Sequence, residues 1–134
     1  MTIRRVPVKQ VMVDKFELVD GLITVEAALQ LIGDKGLEAL IIDKRDEHDE
    51  FGMVLLSDIA KQVIAKDKSP ARVNLYEIMA KPVVSVSSGM DVRYCARLFD
   101  SFGIHRAPVI DEGRVLGVVS YNNIVIKGFA LNGS

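Results

Sequence analysis

Displaced by 67 residues, the chain lies on itself: Met12 falls on Met79, Val19 on Val86, Val25 on Val92, Leu31 on Leu98 and Gly36 on Gly103. One inserted residue then moves the register, so that Asp43 meets Asp111. Beyond a longer hairpin in the first copy, Gly52 meets Gly117 and Ile59 meets Ile124. A duplicated supersecondary unit restricts the architecture to a paired one. The repeats span about residues 8–66 and 74–131, with a linker at 67–73, inside one module covering 1–134.

Each copy reads as short helix, strand, helix, strand, strand, helix, which makes the fold class α+β. Val25, Ala28, Leu29 and Ile32 follow i, i+3, i+4, i+7 spacing and form one apolar helix face. Thr24 is suited to cap that helix, and Gly36 to end it as a left-handed residue. The second copy repeats the face with Val92, Cys95, Ala96 and Phe99, with Asp91 as cap and Gly103 as stop. Cys95 is therefore a core thiol, with no basic neighbour in sequence to activate it. Strands are expected at 39–42, 53–56, 107–110 and 115–119, the last two joined by the compact turn Asp111-Glu112-Gly113. The closing helices are expected to start near Ser57 and Asn122 as N-caps. One copy has too few short strands to bury both faces of its sheet. The two together are expected to form one domain with an approximate twofold axis.

Between the first copy's last strands runs Lys44-Arg45-Asp46-Glu47-His48-Asp49-Glu50, all ionisable. The spacing favours a solvated hairpin tip over a metal site, because a flexible loop lacks the supporting shell that fixes ligands. Composition limits the function further. Seventeen basic against 18 acidic residues give a net charge of −1, which provides no general field for a nucleic acid. Arg4, Arg5 and Lys9 are too few to reverse that. Apolar runs of four or five residues fall far short of the roughly 20 that a membrane span needs. One cysteine and no apolar run after Arg4 and Arg5 lead to the expectation of a reducing, cytoplasmic setting with no secretory signal.

Three stretches in the second copy carry a resemblance: Ile78-Met79-Ala80-Lys81-Pro82-Val83-Val84-Ser85-Val86, Gly103-Ile104-His105-Arg106-Ala107-Pro108-Val109-Ile110-Asp111, and Gly117-Val118-Val119-Ser120-Tyr121-Asn122-Asn123-Ile124. In this order, and duplicated, they resemble the CBS (cystathionine β-synthase) domain, two of which in tandem form a Bateman module. The resemblance runs from about Val8 to Phe129. It implies a regulatory module that binds AMP, ADP, ATP, S-adenosylmethionine or a related adenosine compound in clefts between the paired domains. It also implies disk-like dimers. No cofactor is required on this reading.

The family's Gly-hydrophobic-hydrophobic-Ser/Thr-x-x-Asp motif places a hydroxyl near phosphate and a carboxylate on the ribose. Here Ser120 keeps the hydroxyl while Asn123 replaces the acid; in the first copy Leu55 replaces the hydroxyl and Asp58 keeps the acid. The second copy is therefore expected to lead. Arg106 supplies a charged fork for phosphate, His105 a pH-dependent donor, and Ser120 with the backbone near Asn122 neutral donors. Val83, Val84 and Pro108 supply apolar walls for an adenine, flanked by Lys81, Pro82 and Ala107. Asn123 retains one acceptor for ribose, and Asp58 is the remaining candidate from the first copy.

Nothing in the sequence has the form of a catalytic motif, a metal-ligand spacing or a phosphate-binding glycine loop, so the chain is expected not to be an enzyme. The favoured reading is a sensor acting on a separate protein partner or through self-association as a homodimer. The alternative is a structural CBS pair that dimerises through its terminal helices and takes no ligand.

Overall fold

Thr24 and Asp91 start the two long helices, and Gly36 and Gly103 end them, as the spacing predicts. Thr24 Oγ1 accepts from the Ala27 N–H at 3.1 Å, and an Asp91 carboxylate oxygen accepts from the Arg93 N–H at 2.9 Å. Both glycines sit at φ 64°, where a side chain would be strained. The computed structural model describes residues 5–133. Arg4, counted above among the basic residues, lies outside them.

The described residues form two compact units, one over Phe16–Val83 and the other joining residues 5–15 to 84–133. In the first, β1 (Leu18–Val19) runs parallel to β2 (Ala39–Ile42), with Leu18 opposite Ile41. β2 pairs antiparallel with β3 (Gly52–Leu55), from Ala39 opposite Leu55 to Ile42 opposite Gly52. Helix α1 (Val25–Lys35) buries Val25, Ala28 and Ile32 against Leu40, Val54, Ile59, Val63 and Leu75. Each such side chain stabilises the unit by roughly 1.5–3 kcal/mol relative to exposure, alanine less. Helix α2 (Leu56–Ile59) continues as a π-helical turn over Ala60–Ile64.

In the second unit, α3 (Val92–Phe102) buries Val92, Cys95 and Phe99 against Val109 and Val119. β4 (Arg106–Asp111) and β5 (Arg114–Ser120) pair antiparallel, with a bulge at Val109/Ile110. Glu112 and Gly113 between them have φ of 50° and 76°, both left-handed, as a two-residue type I′ turn demands. Helix α4 (Tyr121–Gly133) follows β5 directly. The strand expected before α3 shrinks to a single parallel bridge, Val86 to Val109. The physical reason lies two residues on: the Ser88 N–H donates to the Asp111 side chain at 2.9 Å instead of extending a ladder.

The units are not the sequence repeats. Val13 exchanges backbone hydrogen bonds with Val118, both at 2.8 Å, although the two belong to different repeats. Ala80 likewise exchanges bonds with Met53, at 2.9 and 3.0 Å. The same crossing recurs in Val8 N–H to Met90 O at 2.8 Å and Leu75 N–H to Ile23 O at 3.0 Å. Each repeat thus gives its leading segment to the other's sheet and helix. Gly117 and Gly52 permit this approach: a Cβ on Gly117 would collide with the Val13 carbonyl oxygen, and one on Gly52 would lie 2.9 Å from Met79 Sδ. Among the described residues, no helix is long and apolar enough to cross a membrane.

Candidate functional site

Strand register brings most of the second-copy residues together. Arg106 lies opposite Ser120 at one end of the β4–β5 pair. His105 precedes them, and its carbonyl accepts from the Tyr121 N–H at 3.0 Å. The exposed His105 ring meets Tyr121 edge-on, with centroids 5.8 Å apart, and Tyr121 meets Phe99 in the same way at 5.3 Å. Arg106 is half-buried, whereas Ala107 and Pro108 are buried.

Ser120 and Asn123 are bonded to each other. Ser120 Oγ accepts from the Asn123 N–H at 3.2 Å, while Asn123 Oδ1 accepts from the Ser120 N–H at 3.1 Å and from its hydroxyl at 3.0 Å. This is a reciprocal helix cap. At the equivalent place, Asp58 accepts from the Leu55 N–H at 2.8 Å. The closing helices therefore start at Leu56 and Tyr121, with Leu55 and Ser120 at the cap positions, two residues before the expected caps Ser57 and Asn122. The side chain three residues beyond the strand end holds the last strand N–H, which fixes where the helix begins. A Ser120 hydroxyl that donates to a phosphate oxygen must first turn its proton away from Asn123, although its oxygen can go on accepting.

The remaining expected site residues divide between the units. Val84 belongs with the β4–β5 unit, while Lys81, Pro82, Val83 and Asp58 belong to the Phe16–Val83 unit. The Lys81-Pro82 peptide is cis. Lys81 Nζ lies 2.7 Å from Asp49 Oδ1. Asp49 also accepts from the Arg45 N–H at 2.8 Å and from its Nε at 3.0 Å. Its side chain is only 8% exposed, and Arg45, followed by Lys81, holds its carboxyl far below the ordinary carboxylate range. The loop at 44–50, expected to be a solvated tip, is thus pinned at Asp49, while Glu47 and His48 remain exposed. Among the described residues, no group of three or more His, Cys, Asp or Glu is placed to hold a metal ion.

A cavity of about 620 Å³ opens in the same unit, at the ends of β1 and β2 and beside Tyr76, Met79 and Lys81. Sequence reasoning missed it, because its walls come from three separated segments and carry no motif. Of the expected site residues, Lys81 lines it.

Comparison with known proteins gives a coherent set. The CBS domain family model matches residues 75–127. The hexameric CBS-CP12 protein from bloom-forming cyanobacteria is 37% identical, with a TM-score of 0.90 over 94% of this chain and 73% of that one. The CBS domain pair of protein MJ0100, solved in complex with 5′-methylthioadenosine and S-adenosyl-L-methionine, is 25% identical, with a TM-score of 0.77 over 90% of this chain and 94% of that one. The uncharacterized protein MK0525 of Methanopyrus kandleri is 30% identical over 64% of this chain. A homoserine O-acetyltransferase of Methanosalsum zhilinae is 31% identical over 76%. The matched regions span 43% and 20% of those two proteins' own lengths.

Proposed function

Because this chain belongs to the CBS-domain family, as two tandem copies of the unit, we propose that it is a regulatory module that senses an adenosine-containing ligand. The ligand is AMP, ADP, ATP or S-adenosylmethionine, and the second copy leads its recognition. The module works in the cytoplasm and acts on a separate protein or through homodimerisation; regulation, not catalysis, is its role. The observation that carries this reading is the Arg106–Ser120 register pair beside the start of α4. An arginine and a hydroxyl at neighbouring backbone positions, next to a helix start, suit a phosphate, although the Tyr121 and Asn123 N–H groups there are already bonded to the His105 carbonyl and Ser120 Oγ. The adenosine compounds bound by the MJ0100 pair support the ligand class. His105, Ala107, Pro108, Asn122 and Asn123 adjoin that corner in sequence or register, and Val84 belongs to the same unit. Lys81, Pro82, Val83 and Asp58, the rest of the expected set, lie in the Phe16–Val83 unit.

A thermal-shift panel with AMP, ADP, ATP and S-adenosylmethionine tests the proposal. A ligand present at 100 times its Kd and binding only the native state adds about 2.7 kcal/mol, an easily read rise in midpoint. Midpoints unmoved by all four at millimolar concentration would refute it for these ligands.

A second reading keeps one specific observation: Val125, Ile126 and Phe129 on α4 are 60, 69 and 71% exposed. Such an apolar face suits self-association without a ligand. Sedimentation with and without nucleotide separates the two readings, since the sensor reading requires a response to nucleotide in stability or assembly.

A further inference from the structure

The two units share a backbone frame but differ at one corner of it. Lys9 N–H donates to Ser88 O at 2.9 Å, and at the equivalent place Tyr76 N–H donates to Gly21 O at 2.9 Å. In the first case the corner is stapled shut, because the Ser88 N–H and hydroxyl both donate to the Asp111 carboxylate. In the second case Gly21 has no hydroxyl to offer. Asp43, the counterpart of Asp111, turns instead to the Lys44 N–H at 2.8 Å. The cavity of about 620 Å³ opens at this unstapled corner.

The chemistry of its lining is selective. Val19, Ile42 and Met79 give it apolar surface, and Leu18, Leu22 and Tyr76 add more while remaining 40, 69 and 50% exposed. Lys44, Arg45 and Lys81 bring three cations. The single Asp49 carboxylate serves both Arg45 and Lys81, which leaves that trio with one positive charge; Lys44 adds a second, its Nζ 4.9 Å from the Phe51 ring centroid, and the Asp20 and Asp43 carboxylates balance the lining overall. An ammonium has three donors, and Asp49 takes one from Lys81. Each of those two acids holds a local turn, Asp20 accepting from the Leu22 N–H at 2.8 Å and Asp43 from the Lys44 N–H, so the donors left to an anion are those of Lys44, Arg45 and Lys81.

We infer that this cavity is a binding site, separate from the nucleotide corner and independent of that reading, for a small organic anion. The ligand has one or two rings for the apolar lining and Tyr76, and a carboxylate or phosphate for Lys44 and the Arg45–Lys81 pair. The volume falls within the roughly 300–1,000 Å³ of small-molecule sites. Charge-assisted hydrogen bonds to the cations fix the anionic end.

Titration of ¹⁵N-labelled protein with phenyl phosphate, benzoate and neutral benzyl alcohol tests it. Phenyl phosphate, benzoate or both move the amide signals of Gly21, Leu22, Lys44 and Arg45, and whichever is stronger identifies the anion. Benzyl alcohol binds at least about tenfold more weakly. Gly21→Ser recreates the staple with Asp43 and suppresses the response. Its Cβ lies 3.3 Å from Ile42 Cγ2 and from Tyr76 Cβ, so a small local shift is needed. Tyr76→Ala supplies a second variant at a half-exposed position, and it weakens binding about tenfold with the thermal midpoint retained. No movement of those amides at about 10 mM probe, or an equal response to benzyl alcohol, overturns the inference. So does full binding by both variants. Movement confined to amides near Arg106 and Ser120 also overturns it, by placing the anion in the nucleotide corner.

Discussion

Arg106 and Ser120 stand opposite each other across the β4–β5 pair, and Ser120 is bonded in turn to Asn123 through both its N–H and its hydroxyl. Strand register therefore fixes the backbone that carries the Arg106 side chain, while the Ser120 hydroxyl is held by the helix cap. A polar corner built on a strand end and a helix start is more precisely held than one on a loop.

Replacing Arg106 with alanine is expected to weaken AMP, ADP and ATP binding by about 10–100-fold, the loss of a charged hydrogen bond worth roughly 1.5–3 kcal/mol. S-adenosylmethionine, which has no phosphate, should lose less. Calorimetric titration of each ligand checks this, and an unchanged nucleotide Kd removes Arg106 from the site.

Two glycines should respond to alanine in opposite directions. Gly117→Ala drives a methyl group against the Val13 carbonyl oxygen and is expected to cost about 1–3 kcal/mol. Gly33→Ala, inside α1 with nothing within 4 Å of the new Cβ, is expected to stabilise by about 0.5–1 kcal/mol. Urea unfolding of both variants against the parent protein measures the two signs.

Acid should destabilise the protein partly through Asp91. The Arg93 guanidinium beside it holds this carboxyl below its ordinary value of 3.8. A depressed folded-state pKa contributes stability that is present above the unfolded value and is lost as pH falls through the folded one. Wild-type stability is therefore expected to drop below about pH 3.8, and Asp91→Asn, which keeps an oxygen to cap α3, should drop less steeply. Unfolding curves from neutral pH down to pH 3 or so compare the slopes.

Burial pushes the Cys95 thiol up to about 11. At neutral pH almost none of it is thiolate, so it is expected to resist iodoacetamide in the native protein and to react once urea unfolds it. Rapid native labelling followed by mass spectrometry would contradict its place in the core.

Periodicity and caps made the hydrophobic frame readable in advance, because those signals are local. The i, i+3, i+4, i+7 faces, Thr24, Asp91, Gly36, Gly103 and the Asp111–Gly113 turn all act within a few residues. What stayed hidden depends on distant partners. The pattern around Ala80 says that it is extended but not that Met53 is its partner. Asp49 looks like one acid in a charged loop until Lys81, 32 residues on, closes on it. The first closing helix starts earlier than its polar residues suggest because its cap position is the apolar Leu55, whose N–H Asp58 holds, and in the second copy Ser120 serves both as strand end and as cap. The polar corner was legible as Arg106 with Ser120, but the hold of Asn123 on that hydroxyl was not.

The crossing of leading segments between the repeats means that the unit of inheritance and the unit of folding are cut at different points. A fragment beginning at residue 74 would carry every strand and helix of the second repeat, yet it would lack Val6, Val8 and Val11, which are fully buried in that repeat's core. It would also carry Leu75, whose burial belongs to the other core, with nothing of that core to cover it. Translation must therefore run through the linker to about Met79 before the first core can close, and past the second hairpin before the second core can.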